Sequence, residues 1–233
     1  APVHLEEWSV LGSVIPRRGV VEISEFKVKG GGGEVSMRGM MVAGPKGQSL
    51  RAEVTVSPMP LATLKALWPR SLARGGREWV GERISAATFL GGSLRFTSGE
   101  FMQEEAASGA AASGTATCER LSGTFEMSDI VGTPLEGMAP VTAPRALVHL
   151  ENNAMEVTVP DATATLPGDR KVVAKTIRLF SNDVVIPRPD SELTFNVQSD
   201  LGPYLELLGS LPFDQVRTVR DIPQNAEGKV EAS

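Results

Sequence analysis

The sequence predicts a mainly β protein with antiparallel strands and two short helical insertions. Three observations lead to this prediction. Apolar and polar residues alternate along much of the chain, most regularly in residues 50–56. Turn-forming residues, such as those at 44–47, separate the alternating runs at short intervals, as is typical of hairpins. Apolar residues recur at helical spacing over a long stretch only in residues 57–91.

Composition limits the classes of function. A chain of 233 residues with 41% hydrophobic residues can bury a core of one large domain or two modest ones. A net charge of −5 gives no support to a nucleic-acid partner, which a basic field would normally indicate. The single cysteine, Cys118, excludes an internal disulfide framework and a cysteine-based zinc cluster. No apolar run reaches the roughly 18 residues of a membrane span. The sequence looks truncated at both ends, so we interpret the chain as a segment of a longer protein.

The N-terminal strands contain an irregularity and a glycine run. Val21 and Ile23 are out of phase with Phe26 and Val28, which predicts a bulge or two short strands within residues 10–28. The four glycines at 30–33 would suit a phosphate-binding loop only if a helix followed. A strand pattern follows instead, so we expect a flexible hairpin turn. Residues 50–56 then form the most regular predicted strand.

The helical stretch is predicted to form a hairpin of two helices. Pro60 suits the first turn of the first helix, and Pro69 ends that helix because proline disfavours the α conformation of the residue before it. A second helix is expected over residues 75–84, with glycines beyond its end at 91–92. The first apolar stripe comprises Leu61, Leu64, Leu67 and Trp68, and the second comprises Trp79, Val80 and Ile84. We expect Trp68, Pro69 and Trp79 to be structural anchors that pack the hairpin onto the sheet.

Strand patterns resume after the hairpin and end in a second helical segment. Residues 104–117 are small and nearly featureless, so the pattern leaves open a mobile loop or a weak strand. Further strands are expected at 93–101, 121–131, 146–150, 155–159, 162–166, 172–180 and 192–197. A second helical insertion is expected near 203–220, after the first one near 60–85.

The order of these elements suggests an internal repeat. Aligning Pro203 with Pro60 also pairs Pro212 with Pro69, and the strands that precede them align as well. We therefore divide the chain into a first repeat at 1–100, a small-residue linker or weak strand at 101–120, and a second repeat at 121–233 that ends at the start of a further strand.

The residues that would support catalysis are missing. The two histidines, His4 and His149, lie in strand-like contexts, and no nucleophile motif or metal-ligand spacing accompanies them. We therefore expect no enzyme activity and no cofactor or metal. The arginines of the hairpin have two open interpretations, since they could contact lipid phosphates or could form the charged outer face of the helices. They are Arg70, Arg74, Arg77 and Arg83.

Leu67-Trp68-Pro69, followed by Arg77-x-Trp79-Val80 and then Gly91 or Gly92, resembles the AsmA-like family of bacterial envelope proteins, most closely its YhdP-type branch related to TamB. The second helical segment and Gly228 are similar to the family's next helix and strand. The resemblance covers nearly the whole chain and departs from the family in residues 104–117. It implies an elongated, curved antiparallel β-sheet groove built from repeats, located in the periplasm and held at the inner membrane by an anchor outside this segment.

The implied function is transport of phospholipids between the inner and outer membranes, with acyl chains shielded on an apolar concave face. The alternative is a non-catalytic interaction scaffold for outer-membrane biogenesis that pairs with envelope proteins through exposed strand edges. For the first function we expect one apolar surface that protein does not fully cover. Its expected lipid-binding residues are Leu50, Val54, Val56, Val157, Val159, Leu193, Phe195 and Val197.

Overall fold

The alternating segments form a single open antiparallel sheet. The computed structural model describes residues 4–44, 47–68, 74–99, 119–135, 137–185, 190–210 and 229–232. Within these ranges the strand order is β1-β2-β3-β4-β6-β7-β8-β9-β10-β11-β12, and the two-residue β5 pairs with β6. The strands are β1 Leu5–Ile15, β2 Val20–Gly30, β3 Gly33–Gly44, β4 Gly47–Val56, β5 Met59–Pro60, β6 Ile84–Ser98, β7 Glu119–Gly132, β8 Val141–Glu151, β9 Ala154–Leu166, β10 Arg170–Ser181, β11 Ser191–Asp200 and β12 Lys229–Ala232. The helices are α1 Leu61–Leu67, α2 Arg74–Arg83 and α3 Leu201–Ser210. The prediction of a mainly β, antiparallel fold with helical insertions is confirmed.

The register separates the sheet into an apolar face and a polar face. Residues directly opposite each other on neighbouring strands lie on the same face of a sheet. One row of paired positions crosses ten strands and consists of apolar residues and one glycine. The row is Trp8, Val28, Val35, Val56, Gly92, Phe125, Val148, Val157, Leu179 and Leu193. We call the side that carries this row the apolar face.

The opposite side, the polar face, carries cross-strand ion pairs. They are Lys27–Glu34 at 3.0 Å, Arg38–Glu53 with Nε to Oε2 at 2.8 Å, Arg145–Glu126 at 2.6 Å and Arg178–Glu156 at 2.7 Å. Exposed pairs of this kind contribute little stability. They place charge on one side of the sheet and leave the other side to apolar side chains.

In β7, β8, β9 and β10 the alternation of side chains between the two faces shifts by one residue. The four shifts lie side by side in the sheet. Asp129 of β7 has a φ of 52° and lies level with Pro144 of β8, between the pairs Ser128↔Arg145 and Ile130↔Ala143. Pro160 of β9 likewise lies level with Thr176 of β10, which also has a φ of 52°. Proline cannot donate to the ladder, and a residue with positive φ reverses the alternation. Residues 155–159 and 162–166, predicted as separate strands, are therefore one strand that shifts phase at Pro160.

Three segments cover parts of the apolar face. β5 and α1 pack over Val56 and Phe89, and Met59 is only 2% exposed. Residues 182–185 fold over Leu94, Leu121 and Leu150, where Val184 and Val185 join the cluster. The third segment, α3, places Leu207 on Val172 and Val197. These three covers divide the hydrophobic core into three clusters along the sheet.

The cover formed by residues 182–185 is held by the buried residue Asn153. Its backbone carbonyl accepts a hydrogen bond from the Val184 amide at 3.0 Å. Its side-chain Oδ1 accepts from the Leu121 amide at 2.7 Å, and its Nδ2 donates to the Glu119 carbonyl at 2.8 Å. The Asn153 side chain thus connects the β8–β9 turn to the beginning of β7, and the Asn153 backbone connects the same turn to the cover formed by residues 182–185.

Two predictions for the N-terminal strands are confirmed. The register of β2 against its neighbours shifts between Ile23 and Phe26, so the phase change is a bulge. The glycine run is a hairpin turn, in which Gly31 and Gly32 adopt positive φ values of 59° and 81°. Such values favour glycine, which explains the run at this position.

The expected helical hairpin needs two corrections. The second helix ends at Arg83, Ile84 begins β6, and the glycines at 91–92 lie inside that strand. Trp79, expected to be buried, is 41% exposed. The apolar face over Val56 and Phe89 is covered instead by β5 and α1, where Met59 and Leu61 are each 2% exposed. Trp68 is half-buried, and Pro69 and residues 104–117 lie outside the described residues.

Candidate functional site

The described residues leave most of the apolar face over strands β1–β3 uncovered, except at Val35, which packs against the cluster of Val56, Met59 and Phe89. On β1, the side chains of Trp8, Val10 and Val14 are 69%, 55% and 65% exposed. Their partners on β2 and β3 are half-buried and lie on the same face through the register. We call this region the open window. It comprises Trp8, Val10, Val14, Val21, Ile23, Phe26, Val28, Met37 and Met41.

The open window is about as large as the largest apolar patch on a typical monomer, and such patches are often functional. Its strands contain 11, 11 and 12 residues. At about 3.3 Å per residue and about 4.8 Å between strands, the region measures roughly 35 Å by 10 Å. Exposed apolar patches of several hundred Å² commonly mark binding surfaces. The size of the window is therefore in the range expected of an interaction site.

Charge is absent from the window because the alternation places it on the polar face. Lys29 and Glu34 lie on that face, and Lys29 also bridges to Glu7 at 3.3 Å. The hydrogen bond from Glu34 raises the pKa of Lys27, and the hydrogen bond from Arg38 lowers the pKa of Glu53. Both shifts favour the charged forms of these two side chains, which lie on the polar face.

A second, smaller region that the described residues leave uncovered lies on β8–β11, next to the covers formed by residues 182–185 and α3. Leu193 is 41% exposed there, and its neighbours on the same face are half-buried. We call it the second window. It comprises Val148, Val157, Val159, Ile177, Leu179 and Leu193.

The structure brings the eight expected lipid-binding residues onto one face but covers them unequally. Leu50 and Val54 are half-buried beside the open window, and Val157, Val159 and Leu193 lie in the second window. Phe195 packs partly against the α3 cluster.

Two of the eight residues are core residues, which corrects the expectation that they would be open. Val56 is 8% exposed and Val197 is 1% exposed. The reason is chain connectivity. A helix follows each of these strands closely, α1 after Val56 and α3 after Val197, and each helix folds back onto the end of the strand that precedes it.

Sequence reasoning missed the most exposed part of the face, the β1 and β2 residues of the window. The signal was present, since Trp8, Val10, Gly12 and Val14 alternate with Ser9, Leu11 and Ser13. It was incomplete because alternation does not reveal that β1 is an edge strand of the described sheet.

The described residues contain no metal-binding group of three or more histidine, cysteine or acidic side chains. Two depressions among them are shallow, one lined by residues such as Asp129 and Asp161 and the other by residues such as His149 and Glu151. Among the described helices, none has both the length and the apolar character that a membrane crossing requires. Comparison of the chain with protein-family models, curated proteins and solved structures yields no match.

Proposed function

We propose that this chain is a segment of a periplasmic lipid-conduit protein and that the open window shields phospholipid acyl chains. The observation that supports the proposal is the exposure of Trp8, Val10 and Val14 in the open window, on a sheet whose opposite face carries ion pairs. In this proposal the segment is one section of an elongated, curved, repeat-built groove that an inner-membrane anchor outside the segment holds in place. The resemblance to AsmA-like proteins supports the location and the class of cargo.

The energetics of such a site are favourable. Removing an acyl chain from water gains roughly 0.8 kcal/mol per methylene. About 15 methylenes would therefore offset around 12 kcal/mol of the cost of leaving a bilayer. An open window can provide this shielding while the headgroup stays hydrated, so no buried charge has to be compensated.

The alternative function, a scaffold for envelope proteins, also has an observation in its favour. β1 is a terminal strand of the described sheet, and all its residues are exposed. It contains neither lysine nor proline, the residues that usually protect an exposed edge. A partner strand could therefore add to β1 by backbone pairing.

Matched substitutions on β1 test the lipid function. Val10→Asp places a charge in the open window, and Ser9→Asp places the same charge one residue away on the polar face. Both positions are exposed, so both variants should fold. We expect lipid extraction and mass spectrometry to find phospholipid in the purified wild type and in Ser9→Asp, and little in Val10→Asp.

Contact with the acyl chain can be measured separately. Phospholipids with brominated acyl chains quench tryptophan fluorescence on contact, and Trp8→Phe should remove most of the quenching in this chain of three tryptophans. Equal lipid content in the two Asp variants, or quenching that survives Trp8→Phe, would refute the open window as the lipid site. Protection of β1 amides from hydrogen exchange by an envelope protein, without lipid bound, would support the scaffold instead.

A further inference from the structure

Two arginines lie at the end of the open window where β1 turns into β2. The last pair of the window is Val14 with Val21, and the next pair, Ile15 with Val20 on the opposite face, precedes the turn. A 3-10 turn, Pro16–Arg18, connects these strands, and it carries Arg17 and Arg18. The basic pair therefore lies within a few residues of apolar side chains that face solvent.

The turn that carries the arginines is held firmly in place. The Gly19 amide donates to the Pro16 carbonyl at 3.1 Å, and the Ala43 amide of β3 donates to the Gly19 carbonyl at 2.8 Å. Gly19 has a φ of 62°, and a Cβ at this position would lie 2.8 Å from the Ala43 carbonyl oxygen. The backbone under the two arginines is thus pinned to three strands, which reduces the entropy lost when they bind a ligand.

The charges of the two arginines are not neutralised by the described residues. Both side chains are exposed, and neither forms an ion pair or hydrogen bond within the described ranges. Glu22, on the polar face, accepts a hydrogen bond from the Ser13 hydroxyl at 3.5 Å and forms no ion pair with either arginine. In a chain with a net charge of −5, this end of the window is a local basic site.

We infer that Arg17 and Arg18 bind the phosphate of a lipid whose acyl chain lies in the open window. This inference rests on the proposed lipid function and adds to it a site for the phosphate headgroup. Guanidinium groups match phosphate oxygens in bidentate geometry, and such charge-assisted hydrogen bonds are stronger than neutral ones. The apolar window and the adjacent basic turn together fit an amphiphile with a phosphate headgroup.

The test compares ligands that share one chain length. Dodecyl phosphate carries both the chain and the phosphate, dodecanol carries the chain alone, and inorganic phosphate carries the anion alone. Binding is measured by calorimetry below the micelle concentration, with the wild type, the double variant R17Q/R18Q and the control K171Q/K175Q. The control removes the same charge from exposed positions on β10, far from the window in strand order.

We expect the wild type to bind dodecyl phosphate at least about tenfold more tightly than dodecanol, as charged hydrogen bonds to phosphate predict. R17Q/R18Q should remove this preference without changing dodecanol binding, and K171Q/K175Q should keep it. Equal binding of both amphiphiles by wild type and R17Q/R18Q would overturn the headgroup inference and leave the proposed function standing.

Two further outcomes separate the remaining explanations. If the wild type binds neither amphiphile, the proposed function fails, and this inference fails with it. If inorganic phosphate binds as tightly as dodecyl phosphate, and Val10→Asp does not weaken dodecyl phosphate, the arginines form a free-anion site and the lipid assignment is overturned. We expect instead that Val10→Asp weakens both amphiphiles and that inorganic phosphate competes poorly.

Discussion

Replacing Phe89 with alanine should destabilise the protein far more than replacing Phe180. Phe89 is 3% exposed, packs with Val56 and Met59, and its ring centroid lies 5.8 Å from that of Phe125. Core Phe→Ala substitutions cost about 3–5 kcal/mol, and loss of an aromatic pair can add about 1 kcal/mol. Phe180 lies on the polar face between Glu156 and Glu192 and is 45% exposed. Because Phe180 is only about half-buried, its replacement by alanine should lose about half of the free energy gained by burying a phenylalanine side chain, which amounts to about 1 kcal/mol.

Both substitutions change the same residue type within a strand, so differences in strand propensity cancel. The two free energies of unfolding should therefore differ by about 2–4 kcal/mol, measured by urea denaturation monitored by circular dichroism. The melting temperature of Phe89→Ala should fall by about 10 °C. Equal losses in the two variants would refute the assignment of β5 and α1 as a packed cover of the apolar face.

The remaining predictions concern single positions. Trp79→Ala should cost less than about 1 kcal/mol in chemical denaturation because this side chain is half in solvent; a loss above 3 kcal/mol would restore it as an anchor. Asn153→Ala should cost about 2–4 kcal/mol, since it leaves buried backbone groups of β7 unpaired; an unchanged midpoint would contradict this. Gly81→Ala, with open space around the new Cβ, should raise the stability of α2 by up to about 1 kcal/mol. An NMR titration should give the Glu53 carboxyl a pKa below its ordinary value of 4.5. The pKa of Glu53 is lower in the folded protein than in the unfolded chain, so its ion pair with Arg38 stabilises the fold above pH 4.5. This stabilisation is lost as the pH falls through the pKa of Glu53 in the folded protein. Arg38→Gln should return the pKa of Glu53 toward 4.5.

The strands and the two faces follow from local rules, which explains why the sequence predicts them well. Alternation along residues 50–56 places them in a strand with one apolar side, and the glycine run at 30–33 supplies the positive φ values that the hairpin needs. The first helix was predicted from its stripe and bounding prolines, and α1 spans Leu61–Leu67. Each of these features depends on residues close together in the chain.

The candidate site was only partly predictable, because exposure depends on contacts between distant segments. Val56 and Val10 both lie on the apolar face, yet Val56 is covered by β5 and α1, while Val10 faces solvent on a terminal strand. Helical spacing predicts Trp79 in the core, yet its side chain is 41% exposed, while Met59 and Leu61 are each 2% exposed.

The sequence by itself determined the strand periodicity, the hairpin turns and the separation of apolar from charged residues. Only the tertiary structure decided which apolar residues form the core and which remain open. The physical reason is that side-chain alternation follows from the backbone geometry of each strand. Coverage instead requires segments far apart in the chain to meet, as Val184 and Asn153 do where residues 182–185 fold over the sheet.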